Sequence, residues 1–114
     1  MQIQVNTDNN IEGREQLASH VRSVVESTLN RFSDRITRVE VHLSDENGGK
    51  SGQADKRCMM EARIEGRQPT AVSHHAATVD QAIDGAADKL VSLIDSTLGR
   101  LRDQIDHKPS PGTV

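Results

Sequence analysis

Tryptophan and tyrosine are absent and Phe32 is the only phenylalanine. A site that stacks nucleobases or cages a quaternary cation therefore lacks its parts. Cysteine is almost absent too: Cys58 stands alone, which excludes an internal disulfide. No long apolar run occurs anywhere, so a membrane-spanning helix is not expected. With none at the start of the sequence, the expected setting is the reducing cytoplasm rather than the secretory route. An excess of positive charge is also missing. Fourteen Lys and Arg against seventeen Asp and Glu leave a formal charge of −3, opposite in sign to most nucleic-acid binders. What is present is 114 residues, 33% hydrophobic and 27% charged. That is the length of one domain, able to bury a core without disulfides or metal if its apolar residues are well placed.

They are well placed. Gln2 to Thr7 alternates, with Ile3 and Val5 on one side, as in a strand with one buried face, and Asp8-Asn9-Asn10 stops it. From Gly13 to Phe32 the residues Leu17, Val21, Val24, Val25, Thr28 and Phe32 recur at spacings of three and four, which predicts one helical stripe. Ile36 to Leu43 and Arg57 to Glu65 return to period two. Val39, Val41 and Leu43, then Cys58, Met60, Ala62 and Ile64, form dry faces opposite wet ones. Opposite charges on those wet faces are expected to pair across the two strands. Asp45 to Asp55, with three glycines and no branched aliphatic residue, predicts a long mobile connection. Gly66-Arg67-Gln68-Pro69 reads as a tight turn into a short edge strand, Thr70 to His74.

Thr78 and Gln81 form a capping box, after which Val79, Ala82, Ile83, Ala86, Leu90, Leu93, Ile94, Thr97 and Leu101 hold one helical stripe. The small residues Ala82, Gly85, Ala86 and Ala87 predict close approach early in this helix. The aperiodic run from His107 to Val114 carries two prolines. It predicts a domain over residues 1–105 and a disordered tail over 106–114. Two helices with one stripe each and four strands with one apolar face each satisfy one another as an α+β two-layer sandwich. Its order is β-α-β-β-β-α, with both helices on one face of a four-stranded sheet and the first two strands parallel through a helical crossover.

Catalytic and metal chemistry find little footing in this pattern. Strand parity turns Cys58 inward and His42 outward, and the adjacent His74 and His75 point opposite ways, which is poor for joint ligation. A buried cysteine has a raised pKa and makes a weak nucleophile. Gly48-Gly49-Lys50-Ser51-Gly52 lacks the first glycine of a phosphate loop and joins two strands rather than opening a helix. Glu61 and Glu65 flank Arg63 on a solvated face, which is charge balance rather than acid–base pairing.

Three features together resemble one family: the element order, the segment Asp34-Arg35-Ile36-Thr37-Arg38-Val39-Glu40-Val41-His42-Leu43-Ser44, and the run Ser73-His74-His75-Ala76-Ala77-Thr78-Val79-Asp80-Gln81-Ala82-Ile83-Asp84 followed by Asp88-Lys89-Leu90. Over about residues 1 to 104 the chain resembles the short forms of the ribosome hibernation-promoting factor and ribosome-associated inhibitor A family. Older names for that family are ribosomal subunit interface protein and sigma-54 modulation protein. The resemblance implies a cytoplasmic translation regulator, not an enzyme. It would bind the small ribosomal subunit in the channel that takes mRNA and tRNA and stabilise inactive ribosomes under stress. It further implies no cofactor, no small-molecule substrate, no membrane partner, and a monomer or weak homodimer.

Such a wedge carries Lys and Arg on its exposed helix flanks toward rRNA phosphates, without base-specific readout. The residues so implied are Arg22 and Arg31 on the first helix, Lys89, Arg100 and Arg102 on the second, and Lys56 and Arg57 at a strand start. Lys89 lies in the family's Asp-Lys-Leu. Against the three second-helix cations stand Asp80, Asp84, Asp88, Asp95, Asp103 and Asp106. The alternative reading is a protein-interaction module on the same fold, engaging a basic or regulatory partner through the bare sheet face or the acidic second helix.

Overall fold

The computed structural model describes residues 1–8, 11, 13–45 and 56–106, the stretch 100–106 through its backbone alone. Strand β1 (Gln2–Thr7) leads to helix α1 (Arg14–Leu29), which tightens into a 3₁₀ turn at Asn30–Phe32. Then come β2 (Ile36–Asp45), β3 (Lys56–Ile64), β4 (Thr70–Ala76) and the long helix α2 (Val79–Asp106). The strands form one sheet in the order β1-β2-β3-β4, with β1 parallel to β2 and the other neighbours antiparallel. This is the expected α+β sandwich in the expected order. The expected mobile connection over 46–55 and the tail from His107 onward lie outside the described residues.

The core forms where the predicted stripes meet. Val21, Val25 and Leu29 of α1 pack over Val39, Val41 and Leu43 of β2 and over Cys58, Met60, Ala62 and Ile64 of β3. Ala82, Ile83, Ala86, Leu90 and Ile94 of α2 complete the cluster. Every strand residue from Val39 onward that enters it has one parity, so both helices lie on one face of the sheet and the other face is bare. Ile36 breaks that parity and is still buried, because a bulge at Thr37 shifts the register between the pairs Ile36/Ile64 and Arg38/Arg63.

The ends of the elements follow from local chemistry. The Thr78 hydroxyl accepts the Gln81 N–H at 3.1 Å, which is the N-cap half of the capping box. Gly66 has φ 77°, and the Arg67 N–H donates to the Ile64 carbonyl at 3.0 Å. That is a turn needing a left-handed residue at its third position. Gly85 marks a close helix–sheet approach: a Cβ there would lie 2.1 Å from Cδ2 of His74 on β4.

Three sequence expectations are corrected. The first helix stops at Leu29, so Arg31 sits on the 3₁₀ turn and not on the helix; helix ends commonly tighten this way to use their last carbonyls. Asp45 opens no loop: it is the last residue of β2, only 5% exposed, with Lys56 Nζ 3.4 Å away and its N–H donated to the Asp8 carboxylate at 3.2 Å. The facing charges on the wet sides of β2 and β3 are alike, since Arg38 stands opposite Arg63 and Glu40 opposite Glu61. Register follows the buried face and the bulge, which no surface ion pair is strong enough to shift.

Candidate nucleic-acid interface

Of the seven cations implied by the sequence, the five whose side chains are described do not gather on one ridge. Arg22 is exposed on α1 and lines a groove along the β1 edge with Gln2, Ile3, Gln4, Val5 and Arg38. Arg31 points the other way. Its guanidinium lies 4.6 Å over the Phe32 ring and 3.8 Å from the Asp95 carboxylate of α2. Lys89 is on the far flank of α2, where Nζ donates to the Ser73 carbonyl of β4 at 3.0 Å. It borders a groove with Val72, Asp88, Ser92, Leu93 and Ser96. Lys56 pairs with buried Asp45. Arg57 belongs to the bare sheet face, opposite Ser44 and His75. The side chains of Arg100 and Arg102 lie outside the described residues, although the α2 backbone runs through both.

Aspartates take the groove between the helices. Asp80 lies 3.8 Å from His20 Nε2, as Asp95 does from Arg31, so α2 turns acid toward α1. The half-buried and exposed residues of the bare face fall instead into rows set by the strand register. Gln2, Arg38 and Arg63 make the first row, and Gln4, Glu40, Glu61 and Ala71 the second. Asn6, His42, Met59 and Ser73 make the third, and Ser44, Arg57 and His75 the fourth. Arg38 is held in its row by Glu40 at 2.7 Å along the same strand and by the Gln4 side chain across it. His42 lies 3.6 Å from the same glutamate.

Arg38, Arg63 and the two sheet-face histidines are the surface residues that sequence reasoning passed over as ordinary wet-face positions. Strand parity put them on the solvent side. Their sorting into rows depends on register, which the alternation alone does not give.

Inside, Cys58 is fully buried between β2 and β4, and burial pushes its thiol from 9.0 up to about 12. A thiol so placed is a small core hydrophobe and not a nucleophile. Among the described residues no three of His, Cys, Asp and Glu come together as a metal-binding group would.

The class defined by fold and surface is a small α+β sandwich with one helical side and one bare, arginine-bearing sheet side. The model of the Sigma 54 modulation protein / S30EA ribosomal protein family matches residues 3–105, and the chain belongs to that family. It is a family of ribosome-associated and modulation proteins rather than of enzymes. A ribosomal subunit interface protein from Coxiella burnetii has the same fold, with a TM-score of 0.66 at 14% identity over 87% of this chain and 99% of its own. So has the N-terminal domain of Protein Y from Thermus thermophilus, with a TM-score of 0.61 at 24% identity over 85% of this chain and 99% of its own. No curated protein matches the chain.

Proposed function

We propose that this chain is a ribosome hibernation factor: it binds the small ribosomal subunit in the channel for mRNA and tRNA, and so keeps idle ribosomes inactive under stress. It works in the cytoplasm through residues 1–105, with residues 106–114 as a tail outside the binding unit. It needs neither cofactor nor small substrate and acts as a monomer or weak homodimer. The observation that carries this reading is the family match, which spans the whole sandwich from residue 3 to residue 105. In support, a structure of the same fold is that of a ribosomal subunit interface protein. Among the described residues no helix is long and apolar enough to cross a membrane. The grip on rRNA is electrostatic, since the chain lacks Trp and Tyr for stacking and offers arginines on exposed positions.

Co-sedimentation with purified small subunits across a salt series tests it. Binding should be tight at about 50 mM salt and fall steeply by about 200 mM, as release of condensed counterions requires. No association at the low end, or association indifferent to salt, would contradict it and favour the protein-interaction reading. The exposed acids of α2, Asp84 and Asp88, are the feature on which that second reading rests.

A further inference from the structure

Strand β4 is a weakly defended edge of the sheet. Among the described residues it has a strand neighbour on one side only. Its sequence, Thr70-Ala71-Val72-Ser73-His74-His75-Ala76, holds no Lys, Arg, Asp, Glu or Pro. Those are residues that keep an edge from pairing with another chain. The defence comes from outside the strand: Nζ of Lys89, on α2, donates to the Ser73 carbonyl at 3.0 Å. A lysine reaching in from the flank of α2 meets a carbonyl turned away from β3, and the period of two turns the Ala71 backbone the same way.

The neighbouring flank of α2 leaves room for a second helix. Lys89, Ser92, Leu93 and Ser96 border a groove with Val72 and Asp88. Val72 and Leu93 are half-buried and leave apolar surface to cover, while Ser92 and Ser96 are exposed, short and one turn apart. A second copy turned about a two-fold axis at Ser73 fits both features. Ser73 then faces Ser73, Ala71 faces His75, and no like charges stand opposite each other along the paired strands. Both helical layers lie on one side of the joined sheet, where each copy brings one Asp88 and one Lys89. A lysine displaced from Ser73 therefore meets the aspartate of the other copy. The β1 edge offers no such match, because the groove along it holds Arg22 and a two-fold there brings that arginine toward its own counterpart.

We propose that two copies of this chain join edge to edge through β4, antiparallel about a two-fold at Ser73, doubling the four-stranded sheet. Lys89 is the cap that keeps the dimer weak, since it must leave the Ser73 carbonyl before the second strand can take it. A seven-residue strand and one helix flank make a small interface, which also belongs to a weak, reversible complex. The inference rests on the weak homodimer in the reading above and gives it an interface.

Sedimentation equilibrium of the full chain over a concentration series tests it. K89A should dimerise roughly tenfold more tightly than the parent, the worth of one charge-assisted hydrogen bond that no longer has to be broken. K89A/A71P, which removes an outward N–H and leaves the ladder to β3, should be monomeric, and K89A/S23E, changed on α1, should dimerise like K89A. In K89A, amide exchange at Ala71 and Ser73 should slow as concentration rises, a readout that holds even if the proline variant fails to fold. The proposal is overturned if K89A associates no more tightly than the parent, if K89A/A71P folds and dimerises like K89A, or if exchange at those two amides is independent of concentration. None of these outcomes bears on binding to small subunits, which the co-sedimentation reads separately.

Discussion

Gly85 and Cys58 are the single residues on which the packing depends most visibly. A methyl group at Gly85 would collide with the His74 imidazole, which has β4 behind it. Alanine there should gain helix propensity of about 1 kcal/mol and lose more through overpacking, a net destabilisation of about 1–2 kcal/mol. Urea unfolding would show it, and the double variant G85A/H74A should recover most of the loss. A G85A variant as stable as the parent would show that the helix can move away at no cost.

Cys58 gives a pH prediction with a definite sign. Its thiol is held protonated in the fold up to about 12 against 9.0 unfolded, so only the unfolded chain ionises between those values. The stabilisation is whole below pH 9 and is lost as pH rises toward 12. C58A should therefore show a shallower fall of urea midpoint between pH 8.5 and 10.5 than the parent. The absence of tyrosine removes one competing titration in that range. Equal slopes would mean that the thiol ionises alike in both states.

Elements were legible wherever a period continued long enough to name a face. The 3.6-residue stripe from Leu17 and the N-cap half of the capping box at Thr78 both have their counterparts in the structure, and so does the run of small residues at Ala82 to Ala87. T78A should lower stability by about 1 kcal/mol, because the Gln81 N–H loses its acceptor at the start of α2; an unchanged unfolding midpoint would mean that water replaces the cap without loss. What did not read through was where periods change. The 3₁₀ turn after Leu29 is a tightened helix end with no period of its own, and the bulge at Thr37 depends on pairing with β3. Asp45 has the composition of a loop residue, yet it ends a strand because Lys56 and the Asp8 carboxylate meet it there. Charge pairing failed as a guide for the same reason. Arg38 and Glu40 were expected to find opposite charges on β3, and the register instead places Arg63 and Glu61 against them.

Over the whole molecule the formal charge is −3, and among the described residues it is unevenly spread. Asp80 and Asp95 of α2 turn toward α1 and its 3₁₀ turn, while three arginines share the bare side. The family was legible from motif order. Which cations are already held within the fold was not, because helix periodicity shows only which are exposed. Lys89 is the example: it sits in the most family-like tripeptide and yet donates to the edge of β4. A lysine at that place also discourages another strand from adding to the open edge. K89A should therefore bind small subunits as the parent does and show more concentration-dependent self-association by analytical ultracentrifugation. Weaker subunit binding by K89A with no added self-association would return Lys89 to the RNA contact.

The most direct measurement is a cryo-electron microscopy reconstruction of the chain mixed with small ribosomal subunits at low salt. Density for the sandwich should occupy the mRNA and tRNA channel, with its exposed arginines against rRNA phosphates. Density elsewhere on the subunit would contradict the account.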